Sequence, residues 1–114
     1  MAIIGIDLGT TNSLAAQLDN VGRPQIIHNL EGSNLTPSVV YFDNQNKVIV
    51  GQQAKDNIGL ERNIFKEFKR DMGTSATYDY DGKKITPTEL SAFVLQKIKQ
   101  DFEKSIGKAD TVVI

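Results

Sequence analysis

The sequence contains no cysteine and no tryptophan, and only one histidine. Without cysteine, disulfide bridges and thiolate metal sites are excluded. The formal net charge is −1, so the chain has no excess positive charge with which to attract nucleic acid or an anionic membrane surface. No apolar run approaches the ~20 residues that cross a bilayer, and the N-terminus lacks the charged and apolar regions of a signal peptide. We therefore expect a cytoplasmic protein without a nucleic-acid or membrane partner.

The chain is short, with 114 residues of which 39% are hydrophobic. This is enough for one modest core or for two small subdomains. The sequence ends inside a β-branched run, Asp110–Ile114. A native terminus is usually polar unless it is docked, so we expect this chain to be a piece of a larger protein.

An apolar, strand-like run, Ile3–Ile6, leads directly into the polar segment Asp7–Ser13. Glycine lets the backbone approach phosphate oxygens, and successive N–H groups in a tight turn form an anion-binding nest. The hydroxyl and amide side chains between Gly9 and Ser13 add further donors. Asp7 could hold Mg²⁺ through water, because Mg²⁺ gives up its hydration shell reluctantly. From spacing alone, an ordinary polar turn explains this segment equally well.

The segment differs from the two common phosphate motifs. It contains neither G-x-x-x-x-G-K-[ST] nor a G-x-G-x-x-G that opens a helix. Leu14–Leu18, the turn Val21–Pro24 and the apolar pair Ile26–Ile27 follow it, and this order predicts a second hairpin. The candidate phosphate loop would therefore join two antiparallel strands.

Four further elements are predicted in the middle of the chain. Leu35–Phe42 and Lys47–Val50 are rich in β-branched and aromatic residues, which favours strands. Gly51–Gly59 indicates a short helix. Asn63–Met72 indicates a second one, because its large apolar residues recur at helical spacing.

The C-terminal third carries the strongest helix signal. It follows a predicted hairpin, Tyr78–Ile85, whose Asp-Gly pair suits a two-residue turn. Thr86 and Glu89 can form a capping box, and Pro87 suits the first helical position. Gly107 is a natural stop. The apolar residues that recur at three- and four-residue steps are Leu90, Phe93, Val94, Ile98, Phe102 and Ile106.

Several motifs together resemble one family. Asp7–Ser13 resembles the first phosphate motif of the actin-like ATPase superfamily, which also contains sugar kinases and bacterial actins. The rest of the chain resembles the seventy-kilodalton heat-shock chaperones of the bacterial DnaK type, and the resemblance covers Ile3–Ile114. The segments that carry it are Glu31-Gly32, Thr36–Val40, Val50–Lys55, Phe68–Thr74 and Thr86–Leu90.

The resemblance implies an α/β fold with mixed sheets, namely a truncated lobe I of the actin-like ATPase (ribonuclease H-like) fold. Residues 1–35 would form the first strands of the large lobe-I subdomain, including the phosphate loop. Residues 36–86 would form the small lobe-I subdomain. Residues 87–114 would supply a crossing helix and the start of the next strand of the large subdomain, with Thr111–Ile114 rejoining the first sheet.

The resemblance also assigns site residues. Asp7 matches the carboxylate that holds Mg²⁺ through water, and Lys69 matches the lysine that reaches the γ-phosphate and the attacking water. The implied catalytic set is Lys69, Thr10 and Asp7. The residues implied to bind ATP or ADP are Gly9, Thr10, Thr11, Asn12 and Lys69.

By the same resemblance, the chain is the N-terminal fragment of an ATP-dependent molecular chaperone that acts in protein folding and the stress response. ATP binding and hydrolysis would drive peptide binding and release through a C-terminal domain that this chain lacks. A J-domain co-chaperone and a nucleotide-exchange factor are the implied partners. We expect the fragment alone to be inactive. We also expect it to self-associate through an incomplete sheet in which Ile4, Ile6 and Leu8 lack much of their cover.

Two alternatives belong to the same superfamily. A bacterial actin-like filament protein shares the opening loop and a Val-Gly-x-x-Ala-Lys segment, but its lysine motif and helix start match less well. A sugar or glycerol kinase shares the D-x-G-T-T loop. In such kinases a sugar-contacting arginine usually follows that loop, and the sequence has none there.

Overall fold

A computed structural model describes residues 3–114. In its first sheet, the candidate phosphate loop is the turn between the first two strands. Three consecutive strands pair antiparallel, and they are β1 (Ile3–Leu8), β2 (Asn12–Leu18) and β3 (Pro24–Ile27). A two-residue strand, β4 (Thr36–Pro37), pairs with the start of β2. The predicted N-terminal hairpins are therefore confirmed.

A second sheet follows at once in the chain. Its strands are β5 (Val39–Phe42), β6 (Val48–Val50) and β7 (Ile64–Lys66), in the order β6-β5-β7. The predicted single strand Leu35–Phe42 is in fact two strands, because the chain passes from one sheet to the other at Ser38. The short helix is confirmed as α1, Gln52–Asp56, inside the predicted range.

The helix predicted over Asn63–Met72 is wrong. The segment forms β7 and then a four-residue 3₁₀ helix, Phe68–Asp71. Asn63 and Glu67 have φ angles of 59° and 57°, and a left-handed residue interrupts a right-handed helix. The backbone of β7 instead pairs with β5. Pairing with a distant strand therefore decided the structure of this segment, although its apolar residues have helical spacing.

The hairpin predicted over Tyr78–Ile85 is also confirmed. β8 (Tyr78–Tyr80) pairs with β9 (Lys83–Ile85). Asp81 and Gly82 between them have φ angles of 48° and 80°, as two-residue hairpin turns require.

The long helix is also confirmed, as α2 (Pro87–Ile106). Thr86 Oγ1 accepts a hydrogen bond from the Glu89 amide at 3.1 Å, and Glu89 Oε1 accepts one from the Thr86 amide at 3.1 Å. Gly107 ends the helix with a φ of 85°. The chain then returns to the first sheet, where β10 (Thr111–Val113) pairs parallel to β1.

α2 packs against both sheets and builds one main core. Ile4 and Ile6 of β1 belong to this core and are only 0% and 7% exposed. The expectation that they lack cover is therefore wrong, because the long-range packing of α2 supplies it. Buried core residues from α2 are Leu90, Val94, Ile98 and Phe102, and those from the second sheet and the 3₁₀ helix are Val40, Phe42, Phe65 and Phe68.

Candidate functional site

The turn between β1 and β2 is unusually tight at Gly9. Leu8 and Ser13 form the last strand pair, so only four residues make the turn. A Cβ atom at Gly9 would collide with the backbone carbonyl oxygen of Asn12. Gly9 is therefore required by this close approach of two backbone segments. The same tightness keeps the amides of Thr10 and Thr11 near one another, as an anion-binding turn needs.

Two buried serines lock this turn. The Gly9 amide donates to Ser13 Oγ at 3.2 Å, and Ser38 Oγ donates to the Gly9 carbonyl at 2.9 Å. The two hydroxyls lie 2.8 Å apart, with residue exposures of 1% and 2%. Because the single proton of Ser38 goes to Gly9, Ser13 must be the donor between the hydroxyls. The four groups form a closed ring, which we call the serine ring.

β4 fixes the serine ring to the chain that follows. The Ser38 amide donates to the Thr11 carbonyl at 2.9 Å. Asn12 and Ser13 pair with Pro37 and Thr36, respectively. The candidate loop is thus held on both sides by backbone hydrogen bonds before any ligand binds, so its donors are preorganised.

A pocket of about 180 Å³ opens beside the loop. Thr10, Thr11, Lys55 and Lys66 are among the residues that line it. Two hydroxyl donors and two cations along one concave wall suit a polyanion such as a nucleotide phosphate chain. The complete lining is Thr10, Thr11, Ser38, Val39, Lys55, Ile58, Lys66 and Glu67.

Lys69 lies outside this pocket lining. It is exposed on the 3₁₀ helix, between the buried Phe68 and Arg70, whose guanidinium pairs with Glu67 at 3.0 Å. Phe68 belongs to the main core with α2. The backbone that carries Lys69 is therefore anchored, while the ammonium group extends into solvent.

Asp71, two residues further on, is fixed by a tyrosine. Tyr78 donates its hydroxyl to Asp71 Oδ2 at 2.5 Å. Burial raises the pKa of Tyr78 to about 12, with a further contribution from the hydrogen bond to Asp71 and its charge. This contact ties the end of the 3₁₀ helix to β8 and so limits where Lys69 can move.

Asp7 is an exposed member of β1, opposite Leu14 of β2. Within residues 3–114, no group of three or more His, Cys, Asp or Glu side chains could hold a metal ion. A lone exposed carboxylate fits a magnesium ion that is held mainly by phosphate and water.

None of the helices within residues 3–114 is long and apolar enough to cross a membrane.

Sequence reasoning found the loop but missed part of its surroundings. Ser13 and Ser38 were not singled out, although they form the serine ring. Lys55 and Lys66 were not singled out either. Ser13 borders the loop, but its buried partner Ser38 reaches it only through the pairing of distant segments. The same holds for Lys55 and Lys66, so nothing in the local spacing marks these residues.

A tight glycine turn between antiparallel strands, in a mixed sheet packed against a long helix, is the architecture of a lobe of the actin-like ATPase fold. Comparison with known proteins narrows this class. The family model described as Hsp70 protein matches residues 3–79. The chain belongs to the Hsp70 family.

Individual relatives agree with this assignment. The chain is 47% identical over 107 residues to the chaperone protein DnaK of Thermotoga neapolitana, and equally to those of Thermotoga petrophila and Thermotoga maritima. Each match covers 92% of this chain but 18% of the relative. The chain therefore spans less than a fifth of the length of these curated relatives. The bacterial-actin and sugar-kinase alternatives are not favoured.

Proposed function

We propose that this chain is the N-terminal part of an ATP-dependent chaperone and forms one wall of its nucleotide cleft. The observation that carries the proposal is the preorganised glycine turn, which presents Thr10 and Thr11 to a pocket flanked by Lys55 and Lys66. The Hsp70 assignment supports ATP or ADP with Mg²⁺ as the ligand. The coupled peptide binding and release, the J-domain co-chaperone, the nucleotide-exchange factor and the cytoplasmic location are part of the same proposal.

The residue roles are also proposed. Gly9, Thr10, Thr11 and Asn12 bind the β- and γ-phosphates through backbone and side-chain donors. Asp7 would hold Mg²⁺ through water, and the ion would supply charge neutralisation at the phosphates. Lys69 reaches the γ-phosphate and the attacking water. Phosphoryl transfer depends mainly on positioning and on charge stabilisation, and a lysine there supplies both.

We further propose the division into residues 1–35, 36–86 and 87–114 as large-subdomain strands, small subdomain, and crossing helix with return strand. The sheets support this division in outline, because β1–β3 and β10 share one sheet while β5–β7 form another. The short β4 still pairs with β2 of the first sheet, so the change of sheet comes just after Pro37. The cleft wall then lies where the chain leaves the first sheet, near Ser38.

The test is single-turnover ATP hydrolysis by the full-length protein that carries this segment. We expect Lys69→Ala to slow hydrolysis by about 100-fold or more while ATP still binds, since loss of one preorganised charge-stabilising donor has effects of that order. Lys83→Ala is the matched control, because Lys83 is an exposed lysine of β9 that does not line the candidate pocket. Wild-type turnover by Lys69→Ala would remove Lys69 from the mechanism.

A second experiment uses the 114-residue chain alone. We propose that it neither hydrolyses ATP nor binds it tightly, because phosphates bound to a single wall remain in high-dielectric water where charge interactions are weak. Calorimetric titration with Mg-ATP measures this. A dissociation constant in the micromolar range or below would show that one wall is sufficient.

A further inference from the structure

A small cavity lies between the first sheet, the segment that follows it and α2. It has a volume of about 10 Å³ and is bounded by β2, β3, the segment 28–36 and the C-terminal half of α2. Its polar lining residues are His28, Asn29, Asn34, Thr36 and Asp101. The cavity is therefore small and enclosed partly by polar groups, unlike the dry voids of an apolar core.

Asp101, one of the residues that line this cavity, has one unsatisfied carboxylate oxygen. The residue is 3% exposed. Its Oδ2 accepts hydrogen bonds from Lys97 Nζ at 2.7 Å and from the Leu30 amide at 3.3 Å. Its Oδ1 is buried and has no hydrogen-bond partner within residues 3–114. A buried carboxylate oxygen without a donor is costly, so Oδ1 requires a partner that the protein groups do not provide.

Lys97 does not remove this requirement. Its ammonium group also lies 3.0 Å from Glu31 Oε1. Burial lowers the pKa of Lys97, but the hydrogen bonds to Asp101 and Glu31 outweigh it and raise the pKa overall. The ammonium group is therefore charged at neutral pH and shared between two carboxylates. The cluster keeps a net negative charge, and Oδ1 remains its unpaired acceptor.

We propose that one water molecule occupies the cavity and donates a hydrogen bond to Asp101 Oδ1. A space of this size holds a single water. Thr36 can be a second partner, because its Oγ1 accepts from Asn29 Nδ2 at 3.1 Å and so keeps its own proton to donate. The lining contributes a single carboxylate, that of Asp101, and a space for one water leaves no room for the further oxygen ligands that a divalent ion needs.

Through this water, Asp101 is a positioning residue for the segment 30–36, which contacts the phosphate loop at Thr36. Leu30 and Glu31 are bound directly to Asp101 and Lys97 of α2. The water adds a link from Asp101 to Thr36, and Thr36 pairs with Ser13 of the serine ring. The helix thereby fixes both ends of the segment 30–36.

Water–amide NOE and ROE spectroscopy on the 114-residue chain tests the occupant. We expect the amide of Asn29, a residue that lines the cavity, to show water cross-peaks of opposite sign in the two experiments, which indicates a long-lived bound water. The Phe42 amide, whose partner is the Asn63 carbonyl, is the control without such peaks. Absence of the peaks at Asn29 would mean a dry cavity and overturn the proposal. A Leu30 shift that follows replacement of sodium by tetramethylammonium would overturn it in favour of a bound cation.

Amide exchange tests the positioning role. We expect Asp101→Asn to accelerate exchange of the Leu30 amide by about fivefold, because a neutral acceptor is weaker than a carboxylate. Glu103→Gln makes the same change of charge two residues along α2, outside the cavity lining. Exchange at Leu30 should be unchanged in that control. Equal acceleration in both variants would show a general charge effect on the helix and contradict the assignment of Asp101.

Discussion

At the scale of single residues, Ser38 binds the loop through both its hydroxyl and its amide. Its hydroxyl links Ser13 to the Gly9 carbonyl, and its amide binds the Thr11 carbonyl. We expect Ser38→Ala to lower the free energy of unfolding by about 1–3 kcal/mol, because it leaves buried partners unsatisfied. Urea denaturation measures the loss, and faster amide exchange of Gly9 should accompany it.

Ser91 provides the matched control for this substitution. It is equally buried, but its hydroxyl donates only to the Met72 sulfur, at 3.2 Å. Sulfur is a weak acceptor, so Ser91→Ala should cost less than Ser38→Ala and leave Gly9 exchange unchanged. Equal losses in the two variants would mean that the serine ring contributes nothing special to the loop.

Tyr78 should make stability depend on alkaline pH. Its pKa is raised to about 12 by burial and by Asp71, against about 10 in an unfolded chain. Below about pH 10 both states are protonated and the contribution is complete. Between about pH 10 and 12 only the unfolded state loses the proton, so the free energy of unfolding falls as pH rises.

We therefore expect Tyr78→Phe to weaken this alkaline loss of stability. The variant should keep part of it, because burial also raises the pKa of Tyr41 and Tyr80. Urea denaturation of both proteins at several pH values from about 8 to 11 gives the slopes, over the range where tyrosine titrates. Identical slopes for wild type and variant would contradict a special role for Tyr78.

The candidate site could be predicted only in part from residue types. Thr10, Thr11 and Asn12 follow Gly9 directly, so their donors are visible in the sequence. The serine ring is not, because Ser13 and Ser38 are 25 positions apart. Whether a serine hydroxyl is buried beside another depends on the sheet pairing that brings them together.

At the scale of elements, the start of α2 carries a measurable local contribution. Thr86 and Glu89 form both bonds of the capping box. We expect Thr86→Ala to lower the free energy of unfolding by about 1 kcal/mol, the usual cost of losing a helix N-cap. Thr88→Ala is the control, because Thr88 is exposed in the first turn of the same helix. Thermal or urea unfolding that shifts equally in both variants would contradict the cap assignment.

Elements specified by nearby residues were predicted well, and those specified by distant partners were not. The Asp-Gly hairpin and α2 follow from turn and cap chemistry within a few residues. The segment Asn63–Met72 has helical spacing, yet Asn63 and Glu67 adopt left-handed conformations and β7 joins β5. Likewise, the cover over Ile4 and Ile6 depends on α2, which lies far away in the sequence.

At the scale of the whole molecule, the outer edge of the first sheet favours self-association. β10 is the outermost strand, and Val112, Val113 and Ile114 are exposed, the last at 71%. A groove of about 330 Å³ beside it is lined by apolar residues that include Ile6 and Phe102. An exposed apolar edge strand is a template for strand addition. We therefore expect the molar mass from light scattering to rise with concentration.

A lysine on the edge strand should reduce this association. Val113→Lys places a charge on β10, a feature that blocks pairing of strand edges. Leu60→Lys is the control, because Leu60 is also an exposed apolar residue but lies in the segment after α1. A strictly monomeric wild-type mass at high concentration, with protected amides over Ile3–Leu8, would show that the sheet needs no further cover.

The parallel pairing of β1 with β10 also governs the order in which the fold can form. Ile3 pairs with Thr111, almost the whole length of the chain away. Contacts so distant in sequence carry a large loop-closure entropy and slow folding. Pulsed amide exchange during refolding should therefore protect the β1–β2 hairpin first and Thr111–Val113 last, whereas simultaneous protection would contradict this order. During synthesis, β1 is made long before β10, so it gains its second neighbouring strand only after almost all of this segment has left the ribosome.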